Sequence, residues 1–436
     1  MNRSVLHETQ SLCPVCLNKI PARYTAREDG VWLEKRCDQH GDFAAPIWDS
    51  ASEFTAWIRE YPIQPPKHPT YPVERGCPFD CGLCVNHRQA PCCVLMEVTE
   101  RCNLGCPVCF ARSGAAGADV PLETISGWYD LLLDQGGPFN IQLSGGEPTL
   151  REDLPQIIST GVEKGFSFFQ LNTNGLRIAQ DLDYLRRLAG AGLNTVFLQF
   201  DGLSAQSGAR LRGRDLVAEK RAAIAHCRQA GVGVVLVPTV CRGVNEGELG
   251  HILEFAASEM PTVRGVHFQP ISFFGRVEGL TAGAGRMTIP ALLSAIEGQT
   301  GGKLKRSDFL PGGGVHALCS FHANYTVRDG TWTLQQTASS CCCHNTSDAA
   351  RKKVASQWSA PQESRCCKDS GLDSLDAFLH QRKYETLAVS GMAFQDGWTV
   401  DLERLCRCNV HVVRTGQLIP FCSCQLTAED GAALHL

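Results

Sequence analysis

The sequence predicts an α/β protein built round a partial, open barrel of six strand–helix units, with metal-binding modules on both sides. Three observations carry this expectation. Short apolar runs alternate with helical stretches through the middle, glycines fall just past the helix ends, and 23 cysteines crowd the two ends of the chain. The runs Val94–Thr99, Asn140–Leu143, Ser167–Leu171, Thr195–Phe200, Gly233–Pro238 and Arg264–Phe268 suit buried strands. Between them, Pro121–Gln135, Arg151–Lys164, Asp181–Ala191, Asp215–Ala230 and Glu246–Ser258 suit helices. Gly165, Gly192 and Gly231 stand at the C′ position, where a left-handed residue ends a helix. Strand, helix, strand at this spacing implies parallel pairing with right-handed crossovers. Chemistry in such folds lies beyond the carboxyl ends of the strands.

At about 150 residues per domain, 436 residues suggest roughly three units. Composition shifts divide the chain into a zinc-ribbon-like module (1–60), a linker and cluster segment (61–93), the barrel (94–300) and a cysteine-rich C-terminal domain (301–436). The Pro-rich stretch 61–72 reads as a linker. Lys plus Arg is 41 against 45 Asp plus Glu, a net charge of −4 that carries no polyanion-binding footprint. No apolar run reaches the roughly 18 residues that span a bilayer, and the N-terminus has no apolar signal region. A cytoplasmic protein is therefore expected, where thiols stay reduced and many cysteines suit metal better than disulfides.

The strongest motif follows the first strand. ERCNLGCPVCF places Cys102, Cys106 and Cys109 in a Cys-x3-Cys-x2-Cys loop. Three thiolates so close can hold three irons of a [4Fe–4S] cubane and leave the fourth open; the plainer reading, a structural zinc loop, wants a fourth protein ligand. The next strand ends in Gly145, Gly146, Glu147 and Pro148. Two glycines allow close backbone approach, and Glu147 offers an acceptor for an ammonium. Together these motifs resemble those of the radical S-adenosylmethionine (SAM) superfamily. The resemblance implies a cluster that binds SAM through its amino and carboxylate groups and cleaves it to a 5′-deoxyadenosyl radical that abstracts a substrate hydrogen. It implies further SAM contacts at other strand ends: Asn172 and Asn174, Gln199 and Asp201, and Arg212 toward the carboxylate. The plainer reading of each is a polar turn or helix cap.

The flanks add metal sites. Cys13, Cys16, Cys37 and His40 form two knuckles about 20 residues apart, a tetrahedral zinc signature. Cys77, Cys81, Cys84 and Cys92 fit an auxiliary iron–sulfur cluster, with His87 and Cys93 as spare ligands. Cys319, Cys342, Cys408 and Cys422 are the choice for a second one. With EVTERCNLGCPVCFA, LVPTV, GVHFQP, FGR and DLERLCRCNVH, the chain resembles the tetraether lipid synthase-like group in its cysteine-rich bacterial branch. That implies a radical SAM enzyme functionalising an unactivated carbon, by carbon–carbon bond formation or alkylation. An alternative is radical methyl or 3-amino-3-carboxypropyl transfer to a small heterocycle or a metalloid, motivated by the vicinal cysteines. A remote one is a non-catalytic multi-cluster electron carrier. A flavodoxin- or ferredoxin-type donor and a small-molecule or lipid substrate are the expected partners.

Overall fold

The computed structural model describes residues 3–60, 62–335, 347–361, 384–414 and 416–435. Cys342, with Cys341, Cys343, Cys366 and Cys367, lies outside the described residues.

The N-terminal unit is an antiparallel meander of β1 (Ser4–Leu12), β2 (Lys19–Arg27), β3 (Gly30–Cys37) and β4 (Gly41–Trp48), followed by α1 (Ala51–Trp57). The β1–β2 and β3–β4 turns carry the two knuckles, Cys13 with Cys16 and Cys37 with His40. Leu17, at φ 55°, and Gly41, at φ 81°, take left-handed conformations that bend the chain back at each knuckle.

The strands that follow are β5 (Cys93–Thr99), β6 (Val108–Cys109), β7 (Asn140–Gly145), β8 (Phe169–Thr173), β9 (Leu193–Gln199), β10 (Gly233–Val237), β11 (Thr239–Val240), β12 (Val263–Pro270) and β13 (Arg276–Val277), of which β6 and β13 pair with each other as a separate two-stranded sheet. The C-terminal part adds β14 (Leu310–Pro311), β15 (Ser320–Arg328), β16 (Thr331–Leu334), β17 (Thr386–Met392), β18 (Val410–Arg414) and β19 (Gln417–Pro420). The sheet order is β14-β15-β17-β12-β10-β9-β8-β7-β5-β18-β19. From β17 to β18 every neighbouring pair is parallel. Residues 301–436 thus place their strands on both edges of the barrel sheet instead of in a sheet of their own. Two runs that sequence periodicity left unassigned, TLAVSGM and VHVVR, extend the six-strand array to eight parallel strands.

Helices α2 (Leu122–Asp134), α3 (Leu154–Glu163), α4 (Leu176–Gln180), α5 (Leu182–Ala191), α6 (Ala205–Arg212), α7 (Val217–Ala230) and α8 (Leu249–Ser258) fill the crossovers. They bury their apolar stripes against the outer face of the sheet, where Val94, Met96, Ile141, Leu143, Phe169, Leu171, Val196 and Leu198 are fully buried. The opposite side chains of the same strands face inward and line a cavity of about 420 Å³. The helix Ser347–Trp358 closes its floor at the amino ends of the strands: Asn140 Nδ2 donates to the Arg351 carbonyl at 3.0 Å, and a Cβ on Gly233 would stand 2.3 Å from the Trp358 carbonyl.

The ribbon is docked on the C-terminal segment through one buried carboxylate. Asp401 accepts from Thr9 Oγ1 and Tyr24 OH, both at 2.7 Å, and Lys35 Nζ donates to the Gly397 carbonyl at 2.6 Å. A buried acceptor stripped of its donors costs about 1–3 kcal/mol. Thr9→Val combined with Tyr24→Phe should therefore destabilise the protein by that order, read as a lower urea midpoint with an unchanged slope. An unshifted midpoint would mean the docking contributes nothing.

Candidate active site

The site is built from the ends of β5, β7 and β8. A register shift between Glu97 and Thr99 turns the chain out of β5 into the cysteine loop. The glycine turn after β7 is laced directly onto the start of that loop: Gly146 N–H donates to the Thr99 carbonyl and Glu147 N–H to the Arg101 carbonyl, both at 2.8 Å. A Cβ on Gly145 or Gly146 would stand 2.2 Å from the Thr99 or Arg101 carbonyl oxygen, respectively. The two glycines are required for this backbone approach, whatever they also do for a ligand. Pro148 opens the short turn that follows and is buried.

Glu147 is only 1% exposed. Its Oε1 accepts from Thr149 N–H, Thr149 Oγ1 and Thr173 Oγ1 at 3.1, 2.6 and 2.7 Å, and its Oε2 accepts from Asn174 N–H at 2.7 Å. The carboxylate thus ties β7 to β8, and Oε2 keeps acceptor capacity toward the cavity it lines. Asn174 Nδ2 continues the tie, donating to Asn103 Oδ1 inside the cysteine loop at 2.7 Å. From the other side a Gly-Arg pair clamps the same loop. β13 pairs with β6, Arg276 Nε donates to the Cys106 carbonyl at 2.8 Å, and Gly275 comes so close that a Cβ would meet the Cys109 carbonyl at 2.5 Å.

Cys102, Cys106, Cys109, Gly145, Gly146, Glu147, Asn172, Asn174, Gln199 and Arg212 all line the one cavity. Asp201 does not. It is 6% exposed and holds Arg212 in a two-pronged pair, accepting from Nε at 2.7 Å and Nη2 at 2.8 Å, and it also accepts from Gln199 Nε2 and from Thr239 N–H at 3.0 Å. Arg212 Nη1 donates to the Val108 carbonyl at 2.9 Å. Arg212 therefore reaches the site as a braced cation beside the cysteine loop, and Asp201 is its positioning residue. Two groups escaped sequence reasoning: Asn103, and Lys220, which is 4% exposed and donates to the Asn174 carbonyl. Burial pulls Lys220 down to about 8. A lysine in α7 reads as a solvent-facing charge, so periodicity gives no signal for it.

The donor set fits a cationic cluster. Burial pushes Cys102 up to about 11, with the Glu147 charge and the other two thiols adding to the rise, and burial likewise raises Cys106, which Arg212 opposes. Thiols such as Cys102 and Cys106, which resist ionisation in this loop, become good ligands when iron supplies the missing positive charge.

The flanking thiols fall into three groups. In the ribbon, Cys13, Cys16, Cys37 and His40 bring their ligand atoms within 4.8 Å of one another. His40 Nδ1 lies 3.6 Å from Cys13 Sγ and 3.4 Å from Cys37 Sγ, and Cys16 Sγ lies 4.0 Å from Cys37 Sγ. These are the edges of a tetrahedron with arms of about 2.3 Å, the size a zinc ion takes. Cys77 sits against Cys81 and Cys406, so the third thiol beside the 77–81 pair is Cys406. Cys92 instead lines the main cavity and feels Arg351 and Asp348 of the floor helix. Cys84 stands on the segment bridged to Tyr71. Cys319 and Cys408 both act electrostatically on Cys422, as does the buried cation Arg404, whose Nη2 lies 3.7 Å from Cys319 Sγ.

Gly146→Ala should break the lacing between glycine turn and cysteine loop. After anaerobic reconstitution, iron bound by the Cys102–Cys109 loop should fall severalfold while ribbon zinc stays stoichiometric. Equal iron retention in variant and wild type would contradict the role given to the close approach.

Residues 96–256 match the family described as the radical SAM superfamily, and residues 5–49 match the HMPTM N-terminal zinc ribbon domain. The chain is 40% identical over 308 residues to a 7,8-dihydro-6-hydroxymethylpterin dimethyltransferase of Methanocaldococcus jannaschii, an alignment covering 70% of this chain and 61% of that protein. It is 32% identical over 177 residues to a probable GTP 3′,8-cyclase of Methanothermobacter marburgensis, covering 40% of this chain and 56% of that one. Among solved structures, a radical SAM methyltransferase from Sphaerobacter thermophilus aligns with 14% identity and a TM-score of 0.34, over 68% of this chain and 74% of that one. The chain thus spans under two thirds of the length of these two sequence relatives. Among the described residues, no helix is long and apolar enough to cross a membrane. With the cysteine loop, the glycine turn and the ribbon knuckles in these positions, residues 96–256 form a radical SAM superfamily domain and residues 5–49 an N-terminal zinc ribbon domain.

Proposed function

We propose that the protein transfers a methyl or alkyl group to a compact, partly polar heterocycle by radical SAM chemistry. The observation that carries this reading is the single cavity that runs from the cysteine loop down to an inner wall of amides. Its volume of about 420 Å³ suits a small molecule beside a nucleoside. Gln170 Oε1 on that wall would be poorly matched by a lipid chain, because burying it against alkyl groups leaves it unpaired. The name of the pterin dimethyltransferase relative points to the same substrate class.

Cys102, Cys106 and Cys109 would hold a [4Fe–4S] cluster, which would supply the electron for reductive cleavage of SAM. The chain's own residues do the rest. Glu147 Oε2 accepts from the SAM ammonium, Arg212 offers its remaining N–H to the SAM carboxylate, and Asn172 and Gln199 face the ribose and adenine. The buried outer layer and the floor helix exclude water from the radical. Cys77, Cys81 and Cys406 with Cys84, and Cys319, Cys408 and Cys422, are the thiol groups proposed for auxiliary clusters, fed by a flavodoxin- or ferredoxin-type donor. The ribbon holds zinc.

A second reading has one specific observation in its favour. Cys92 and Cys93 both line the cavity, and soft thiol ligands suit a trivalent metalloid as acceptor of the methyl or 3-amino-3-carboxypropyl group.

Anaerobic turnover with reductant, 7,8-dihydro-6-hydroxymethylpterin and methyl-labelled SAM should give 5′-deoxyadenosine and a labelled pterin product. An unlabelled product with 5′-deoxyadenosine would move the protein to carbon–carbon coupling with SAM as radical source only. Label appearing on trivalent arsenite and not on pterin would favour the metalloid reading. Transfer of the 3-amino-3-carboxypropyl group would instead leave 5′-methylthioadenosine, so absence of both nucleosides with the cluster intact would remove all three.

A further inference from the structure

The inner wall of the cavity carries a chain of side-chain hydrogen bonds with one open end. Gln142 Nε2 donates to Cys93 Sγ at 3.3 Å, Asn172 Nδ2 donates to Gln142 Oε1 at 3.4 Å, and Gln170 Nε2 donates to Asn172 Oδ1 at 2.8 Å. Gln142 and Gln170 are direct neighbours in the parallel pairing of β7 and β8. The chain stops at Gln170 Oε1. That oxygen is buried on a residue with 0% exposure, and it has no donor within reach. One Gln170 amide N–H is used on Asn172, and the unpaired atom, Oε1, is an acceptor. A buried carbonyl left unpaired is costly, and a cavity wall is where such a cost is met by a ligand.

The wall beside it differs in chemistry: Phe197, on β9, is the register partner of Asn172. Phe197 lies 5.3 Å from Trp358 and 5.4 Å from His267, ring centroid to ring centroid, and His267 Nδ1 is already engaged with Ser390 Oγ at 2.9 Å. Trp358 is carried in by the floor helix, so this aromatic face lies at the deep end. Gln170 is three residues upstream of Thr173, the residue that touches Glu147. Along a strand that is roughly 10 Å below the glycine turn, far enough to leave the SAM end free.

We propose that Gln170 Oε1 is the acceptor that orients the substrate: a planar heterocycle presents a ring N–H to it, with one face toward Phe197 and Trp358. Asn172 then serves as the link that points Gln170, through the amide chain anchored on Cys93. This deepens the heterocycle reading above and rests on it. It names a specificity determinant separate from every residue placed against SAM except Asn172.

The test uses the anaerobically reconstituted, SAM-loaded holoenzyme and two probes, 7,8-dihydro-6-hydroxymethylpterin and its N3-methyl analogue, by isothermal titration. Wild type should bind the parent about tenfold tighter than the methylated probe, the order of one buried hydrogen bond. Gln170→Leu should bind both alike. A Gln170→Leu protein whose thermal midpoint and bound ribbon zinc match wild type guards against a variant that fails to fold. Equal binding of the two probes by wild type, or an undiminished preference in Gln170→Leu, would overturn the assignment while leaving the heterocycle reading in place. Binding of neither probe by wild type would remove that reading and this assignment with it.

Discussion

The structure depends on the approach of the turn after β7 to the loop after β5. Two backbone hydrogen bonds, Gly146 to Thr99 and Glu147 to Arg101, can form only because positions 145 and 146 lack a side chain. Once they form, Glu147 is placed to receive Thr173 and the Asn174 N–H, and Asn174 is placed to grip Asn103. Three strand ends are thereby locked to the loop that bears Cys102, Cys106 and Cys109. Low-dielectric burial strengthens each tie, and Arg212 and Arg276 hold the loop from its far side. A constellation fixed in this way loses little freedom on binding a cofactor, which is what a reactive intermediate requires of its container.

The C-terminal part matters because it completes the container. β17 and β18 join opposite edges of the parallel array, and the helix Ser347–Trp358 closes the floor. The loop leading to β18 also carries Cys406 and Cys408 past Asp401, the carboxylate on which the ribbon docks. Asp401 caps the short helix Leu402–Leu405, whose Arg404 is buried beside Cys319. Ribbon, C-terminal thiols and barrel edge are therefore one mechanical unit.

Much of this was legible in the sequence. Apolar runs and C′ glycines located all six central strands, because buried parallel strands are written as near-continuous apolar segments. The cysteine spacing and the glycine turn located the site, since their chemistry is local in the chain. What stayed hidden was long-range. Nothing in VHVVR says that β18 pairs with β5, more than 300 residues away, and without that pairing Cys406 could not be put beside Cys77. The same holds for Cys92, whose nearness in sequence to Cys84 suggested a shared cluster while the fold turns it into the cavity. Asp201 was read as a SAM contact; its side chain is spent bracing Arg212, a distinction that only geometry can draw.

The central claim is that the thiols of Cys102, Cys106 and Cys109 hold a cluster whose open iron faces SAM in this cavity. It is tested most directly by electron–nuclear double resonance on the reduced, reconstituted protein with SAM labelled by 15N in the amino group and 17O in the carboxylate. Strong coupling of both labels to the cluster in wild type, lost in Cys106→Ala, is the result the account requires. Absence of coupling in wild type, or coupling that persists in Cys106→Ala, would contradict it.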